Sequence, residues 1–258
     1  MKKNVPPHRE LSLSGEEARA TMHQKTRRSF LVGGVAALGA AGAYEWITHA
    51  DADSDVPWPQ QRVLDFNGRL SEAYLSNKHL MTTYRPEQAG GVKPNGNYGI
   101  EQALELEKWK LQISIPGRAA TFLTMAALQE LPKTEMTTRF CCIEGWSGIA
   151  QWGGAQFSAF TKNLFGPGEA VPPYVYMATP DREYYVGLDI KSALHPQTLL
   201  AYEQNGKPLE ERRGAPLRLA IPVKYGIKNI KRIGLIEYTD KRPADYWADD
   251  GYDWFAGL

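Results

Sequence analysis

The segment richest in reactive side chains is 139–154, Arg-Phe-Cys-Cys-Ile-Glu-Gly-Trp-Ser-Gly-Ile-Ala-Gln-Trp-Gly-Gly. Residues 136–143 read as a strand that places Phe140 and Cys142 on one face and Cys141 and Ile143 on the other. The strand runs into a turn at Glu144-Gly145-Trp146-Ser147. A thiolate at a strand end, beside a turn that glycine permits, can ligate a soft metal or act as a nucleophile. The local features leave a second reading open, in which both cysteines are small buried apolar residues. Cys141 and Cys142 are the only 2 cysteines. Consecutive Cα atoms lie ~3.8 Å apart, closer than the usual disulfide separation, so no disulfide is expected. No cysteine or histidine cluster has zinc-site spacing, and a lone His195 is more often structural than catalytic.

The elements that must position this segment follow from periodicity. Residues 61–80 have weak helical character, and 85–99 form a glycine-rich loop of the kind that often carries function. Trp109, Leu111, Ile113 and Ile115 alternate with polar residues and predict a half-buried strand. Thr124 is placed to cap a short helix, Met125 to Leu131, stopped by Pro132. The spacing of Phe157, Phe160, Leu164 and Phe165 predicts a helix over 155–165. Strands are expected at 174–178, 199–203, 217–221 and 231–238, with a tight hairpin turn at Asn205-Gly206. Strands mixed with short helices, without βαβ periodicity, indicate an α+β domain.

The N-terminus reads as an export segment. Thr-Arg-Arg-Ser-Phe-Leu-Val at 26–32 precedes an apolar run from Phe30 to Ala43, which is signal-peptide architecture. Paired arginines before Phe-Leu indicate the twin-arginine route, which carries folded proteins and suits those loaded with a cofactor. The apolar character continues to Ile47, so an uncleaved membrane anchor stands beside a signal peptide. The expected organisation is an export segment or anchor at 1–50, an acidic, proline-containing linker at 51–64, and one catalytic domain at 65–258. Of 258 residues, 43% are hydrophobic and 23% charged, enough for a substantial core. The net charge of +1 gives no global field towards nucleic acid, and none is expected as a partner.

Cys142-Ile-Glu-Gly-Trp-Ser, followed by Trp152-Gly153, resembles the molybdenum-ligating segment of the sulfite oxidase superfamily. It is most similar to the compact bacterial branch that includes periplasmic methionine sulfoxide reductase catalytic subunits. The resemblance covers roughly 90–258 in several ordered motifs, much stronger than one signature. It implies a mixed-sheet molybdopterin-binding fold, a molybdenum-molybdopterin cofactor, and Cys142 as the metal ligand. Leu199 to Glu203 and Asn205 to Leu209 match the segment before the cofactor loop. Gly214-Ala215-Pro216-Leu217-Arg218, Lys224-Tyr225-Gly226 and Lys228-Asn229-Ile230-Lys231 look like the region that grips the pterin phosphate. A phosphate dianion needs fixed cations and backbone donors, which Arg218 and Lys231 suit, although lysines in such runs commonly form a solvated face.

Other positions follow from the same resemblance. Asn95 is similar to an early Asn beside metal and pterin. Tyr98, Gly99, Asn229 and Ile230 fall where pterin contacts are made. Thr179 resembles a cofactor-bonding Thr, and Tyr184 an active-site Tyr, with Tyr185 close in register. Arg213 stands where relatives carry His or Asn, and Lys93 is the nearest candidate for the anion-binding Arg of sulfite oxidases. Lys lacks the planar fork that clamps an oxyanion, which favours reduction of a sulfoxide-type substrate over sulfite oxidation. The end at Leu258 leaves no room for a C-terminal dimerisation domain, so a monomeric catalytic subunit is expected. With no haem or flavin motif, electrons are expected to pass to or from a separate carrier. In the compact branch that carrier is a membrane b-type cytochrome. A non-catalytic exported module of the same fold is the competing class.

Overall fold

A computed structural model describes residues 15–50, 52–53, 56–90 and 92–258. Residues 1–14 of the expected export segment, 51, 54 and 55 of the expected linker, and Gly91 of the glycine-rich loop lie outside the described residues. The chain divides into two compact units, one of Met1–Ala52 with Pro57–Pro59 and one of Asp53–Val56 with Gln60–Leu258.

In the first unit, α1 (Gly15–His49) is a single helix. Its stretch Met22–His49, 28 residues, is long and apolar enough to cross a membrane. Signal sequences pass the same test of length and composition.

The second unit begins with α2 (Trp58–Tyr74), which starts before the expected boundary at 65 and crosses the 58–64 part of the expected linker. Two five-stranded sheets follow. The first runs β8 (Lys207–Pro208), β7 (Leu199–Gln204), β4 (Ser147–Gln156), β3 (Lys133–Cys141), with β9 (Arg218–Ala220) also paired to β7. The second runs β2 (Thr121–Leu123), β1 (Leu111–Ser114), β10 (Leu235–Thr239), β5 (Tyr174–Ala178), β6 (Tyr185–Asp189). The β10–β1 pair is parallel and its neighbours are antiparallel, so the sheet is mixed. The short helices are α3 (Met125–Gln129), α4 (Phe157–Leu164), α5 (Ile190–Ala193) and α6 (Tyr246–Asp249).

Pleat alternation divides the core. In β7, Leu200 and Tyr202 enter the large cluster with Leu111, Ile113, Phe157, Phe160, Met177 and Tyr238. Leu199 and Ala201, on its other face, pack with Met136, Ala150 and Trp152 in a smaller cluster. Each large apolar side chain buried this way contributes about 1.5–3 kcal/mol. Thr124 caps α3 by accepting a hydrogen bond from the Ala127 amide at 3.3 Å. Asn205 and Gly206 adopt φ of 52° and 72° and close the β7–β8 hairpin.

Three local differences from the sequence expectation have physical causes. β4 runs through 147–156, where glycines at 148, 153 and 154 weaken the strand pattern. A Cβ on Gly154 would lie 2.1 Å from the Leu200 carbonyl oxygen, so close β4–β7 approach requires glycine there. β3 ends at Cys141 rather than 143, because the Cys142 amide turns to donate to the Trp146 carbonyl at 2.9 Å. β10 begins at Leu235 rather than 231, after a turn in which Arg232 takes φ 50°.

Candidate functional site

A cavity of about 370 Å³ brings together Asn95, Tyr98, Cys142, Tyr184, Arg213, Arg218, Asn229 and Lys231. These come from the 92–98 loop, the β3–β4 turn, the β5–β6 turn and the segments flanking β9.

At the cysteine wall, the 142–146 turn is closed by Gly145 donating to the Cys142 carbonyl at 3.2 Å, with Gly145 at φ 86°. Cys142 is buried at 9% exposure, and the Asn95 amide lies 3.9 Å from its Sγ. The same Asn95 Nδ2 donates to Glu144 Oε1 at 3.1 Å, and Trp146 Nε1 donates to Glu144 Oε2 at 2.9 Å. The bond from Trp146, then that from Asn95, holds the Glu144 carboxyl below its ordinary range. Phe140 stacks on Trp146 at 5.7 Å. Because the strand stops at Cys141, Ile143 also reaches the cavity, against the alternation expected from a longer strand. Cys141 is not among the lining residues, and burial pushes its thiol up.

The cation wall is different. The Arg218 guanidinium is buried and donates to three carbonyls, those of Arg213 (3.0 Å), Asn229 (3.1 Å) and Leu219 (3.4 Å). It also lies 4.6 Å over the Trp152 ring. Burial, then the charge of Arg213, lowers Arg218 to about 10. Lys231 donates to the Asn95 carbonyl at 2.5 Å and that of Gly96 at 2.8 Å. Burial, then Arg218, Arg212 and Arg213, lowers Lys231 to about 8. Arg213 reaches the Val92 carbonyl at 2.7 Å, and its Nε lies 3.4 Å from exposed Glu210. Four cations thus share one wall, and Arg218 and Lys231 meet only carbonyls among the described residues. Desolvated cations without a carboxylate form a site that a multiply charged anion completes. The donor set therefore fits a phosphate-bearing cofactor whose other end takes a thiolate.

The remaining expected positions lie behind the walls. Thr179 is fully buried; its Oγ1 donates to Asp181 at 2.6 Å and accepts from the Tyr184 amide at 3.1 Å. It closes the turn that presents Tyr184. A Cβ on Gly99, at φ 70°, would sit 2.3 Å from Thr179 Cγ2, so glycine is required for that approach. Ile230 is a core residue at 1% exposure. The Asn229 side chain lines the cavity while its amide braces the loop, accepting from Ile221 N at 2.9 Å and donating to Tyr225 O at 3.1 Å. Tyr184 lines the cavity and donates to the Ile227 carbonyl at 2.5 Å, and burial pushes its hydroxyl well above the ordinary tyrosine value. Tyr185 instead donates to Asp249 at 2.7 Å. Nδ1 of His195 accepts from the Gln197 amide at 3.2 Å, so Nε2 carries the proton shared with the His79 carbonyl, a bracing role.

Sequence reasoning missed Phe140, Arg212, Trp247 and Tyr252 as lining residues. The aromatic density of the C-terminal segment was the available signal for the last two.

The chain matches the model of the oxidoreductase molybdopterin binding domain over residues 97–247. It is 35% identical, over 63% of this chain, to a putative protein-methionine-sulfoxide reductase subunit YedZ1 of Azospira oryzae, and spans 62% of that protein. It is 31% identical to the protein-methionine-sulfoxide reductase catalytic subunit MsrP of Campylobacter jejuni, over 71% of this chain and 68% of that one. The MsrP of Xanthomonas axonopodis pv. citri is 29% identical over 83% of this chain and 69% of its own. With more than half its length matched, the chain belongs to the family of oxidoreductase molybdopterin-binding domains.

Proposed function

We propose that this protein binds a molybdenum-pterin cofactor and reduces a sulfoxide, of the methionine sulfoxide type on which its relatives are named as acting. The observation carrying the reading is a single cavity lined both by a buried cysteine and by desolvated cations without carboxylate partners. When bound, the cofactor supplies oxygen-atom transfer coupled to two one-electron steps.

Cys142 would hold the metal through its thiolate, and Arg218, Lys231 and Arg213 would hold the pterin phosphate. Asn95 places its amide hydrogens at the thiolate, and Glu144, braced by Trp146, fixes the orientation of Asn95. Tyr184 keeps its proton across the working pH range and can donate only if it leaves the Ile227 carbonyl. Tyr98, Trp247 and Tyr252 narrow the cavity and limit water at the reacting centre. Electrons come from a separate carrier, on the sequence resemblance a membrane b-type cytochrome. The twin-arginine segment places the protein in the periplasm, as a monomeric catalytic subunit.

Metal and pterin analysis of protein from its native compartment tests the cofactor, with near-stoichiometric molybdenum expected. Assays with a reduced viologen against methionine sulfoxide, and with an artificial acceptor against sulfite, test the reaction. Sulfite oxidation without sulfoxide reduction would reverse its direction. Absence of molybdenum would make the chain a non-catalytic module.

A further inference from the structure

Helix α2 is turned the wrong way round for a helix that packs only on its own domain. Its inward positions are Leu64, Gly68, Ser71 and Leu75, spaced four, three and four, and all are buried or half-buried. Gly68 presses so closely on the C-terminal segment that a Cβ there would lie 2.3 Å from the Asp253 carboxylate. The larger apolar residues point the other way. Val63, Phe66, Leu70 and Tyr74, spaced three, four and four, form one stripe with 58%, 64%, 59% and 63% exposure. A stripe of four large apolar side chains left in water on one helix face is the mark of an interaction surface.

We infer that this stripe of α2 lies in the lipid interface of the membrane that α1 spans. The inference rests on the reading of Met22–His49 as a retained span. That stretch of 28 residues is about 42 Å long as a helix, ample for a hydrocarbon core of ~30 Å. Lys25, Arg27 and Arg28 lie at its N-terminal end and an acidic segment follows it, so its C-terminal end faces away from the cytoplasm. Residues 50–57 alone join the two helices and reach no more than about 29 Å when fully extended. α2 is therefore tethered beside the bilayer surface by its own chain. Arg62 and Arg69, seven residues apart, flank the stripe where long cationic stems can lie along lipid headgroups. An amphipathic helix with this layout lies in the interface plane with its apolar face inserted. The tether would also hold the catalytic domain beside a membrane electron carrier.

The test uses the full chain in its native membrane, with photoreactive benzoylphenylalanine at position 66, at 70, or, as the control, at 72 on the helix face opposite the stripe. Mass spectrometry after irradiation is expected to show phospholipid adducts at 66 and 70, at least tenfold above position 72. A protein adduct at 66, whether a second copy or another membrane protein, overturns the lipid assignment. So does lipid labelling no greater than at 72. The intact mass of the recovered chain separates this from the anchor reading. Lipid adducts on a chain that has lost α1 keep the stripe and remove the anchor. A chain that retains α1 without lipid adducts keeps the anchor and removes the stripe.

Discussion

The two walls of the cavity are built on opposite principles. The cysteine wall is a tight turn near the surface, held by side-chain bonds among Asn95, Glu144 and Trp146. The cation wall is buried, and its guanidinium is tied to main-chain carbonyls. Main-chain acceptors fixed by strands and loops hold a cation in place before any ligand arrives, so that wall is suited to binding. Exposed side-chain bonds cost little to rearrange, so the cysteine wall can adjust as chemistry proceeds. The difference assigns affinity to one wall and turnover to the other.

Four measurements can break or sharpen that division. The largest effect is expected for Cys142→Ser, which should abolish turnover with pterin partly retained, while Cys141→Ser stays within about twofold. Equal losses would mean that the turn does not distinguish the two thiols. Next, Arg218→Ala should weaken pterin retention about ten- to hundredfold while leaving the rate per bound molybdenum nearly unchanged. Full pterin content with a lower rate per metal would move Arg218 to the reacting centre.

The third is a pH dependence. Lys231 has a depressed value of about 8 in the empty site against the ordinary 10.5. It is charged below pH 8 and loses its proton above it, so anion binding weakens by up to roughly tenfold per pH unit between 8 and 10.5. Over the same window the unfolded chain binds more protons than the empty folded protein, so empty-protein stability rises with pH. Titrating apoprotein with pterin or inorganic phosphate should show this slope, and Lys231→Met should flatten it. A slope unchanged in that variant would remove Lys231 from the anion site. The smallest effect is on folding. Glu144→Gln should shift Tm by less than about 2 °C, since its bonds sit at the surface. A larger drop would show that the cysteine wall is structural after all.

Much of this division was legible in the sequence. Cys142, Asn95, Arg218 and Lys231 were named from motif likeness and share one cavity. Position behind the wall was not legible. Thr179, Gly99 and Ile230 lie in the same motifs, but one closes a turn, one permits close approach and one fills the core. A linear pattern records proximity to a site without recording which layer a residue occupies. β4 and β6 escaped for related reasons. Glycine-rich β4 is demanded by its neighbour β7, and β6 is specified by pairing with β5 rather than by its own alternation.

The place of β10 in the second sheet sets a timetable. This strand, Leu235–Thr239, is among the last elements made, yet it sits between β1 and β5 and joins the two sides of the sheet. Arg218, Lys231, Trp247 and Tyr252 of the cavity also come from the end of the chain. Synthesis runs from the N-terminus, so early strands wait unpaired until the final residues leave the ribosome. The pocket cannot exist on a nascent chain. Cofactor insertion is consequently confined to the interval after release, and a truncation that removes β10 should leave soluble fragments with no anion affinity at all.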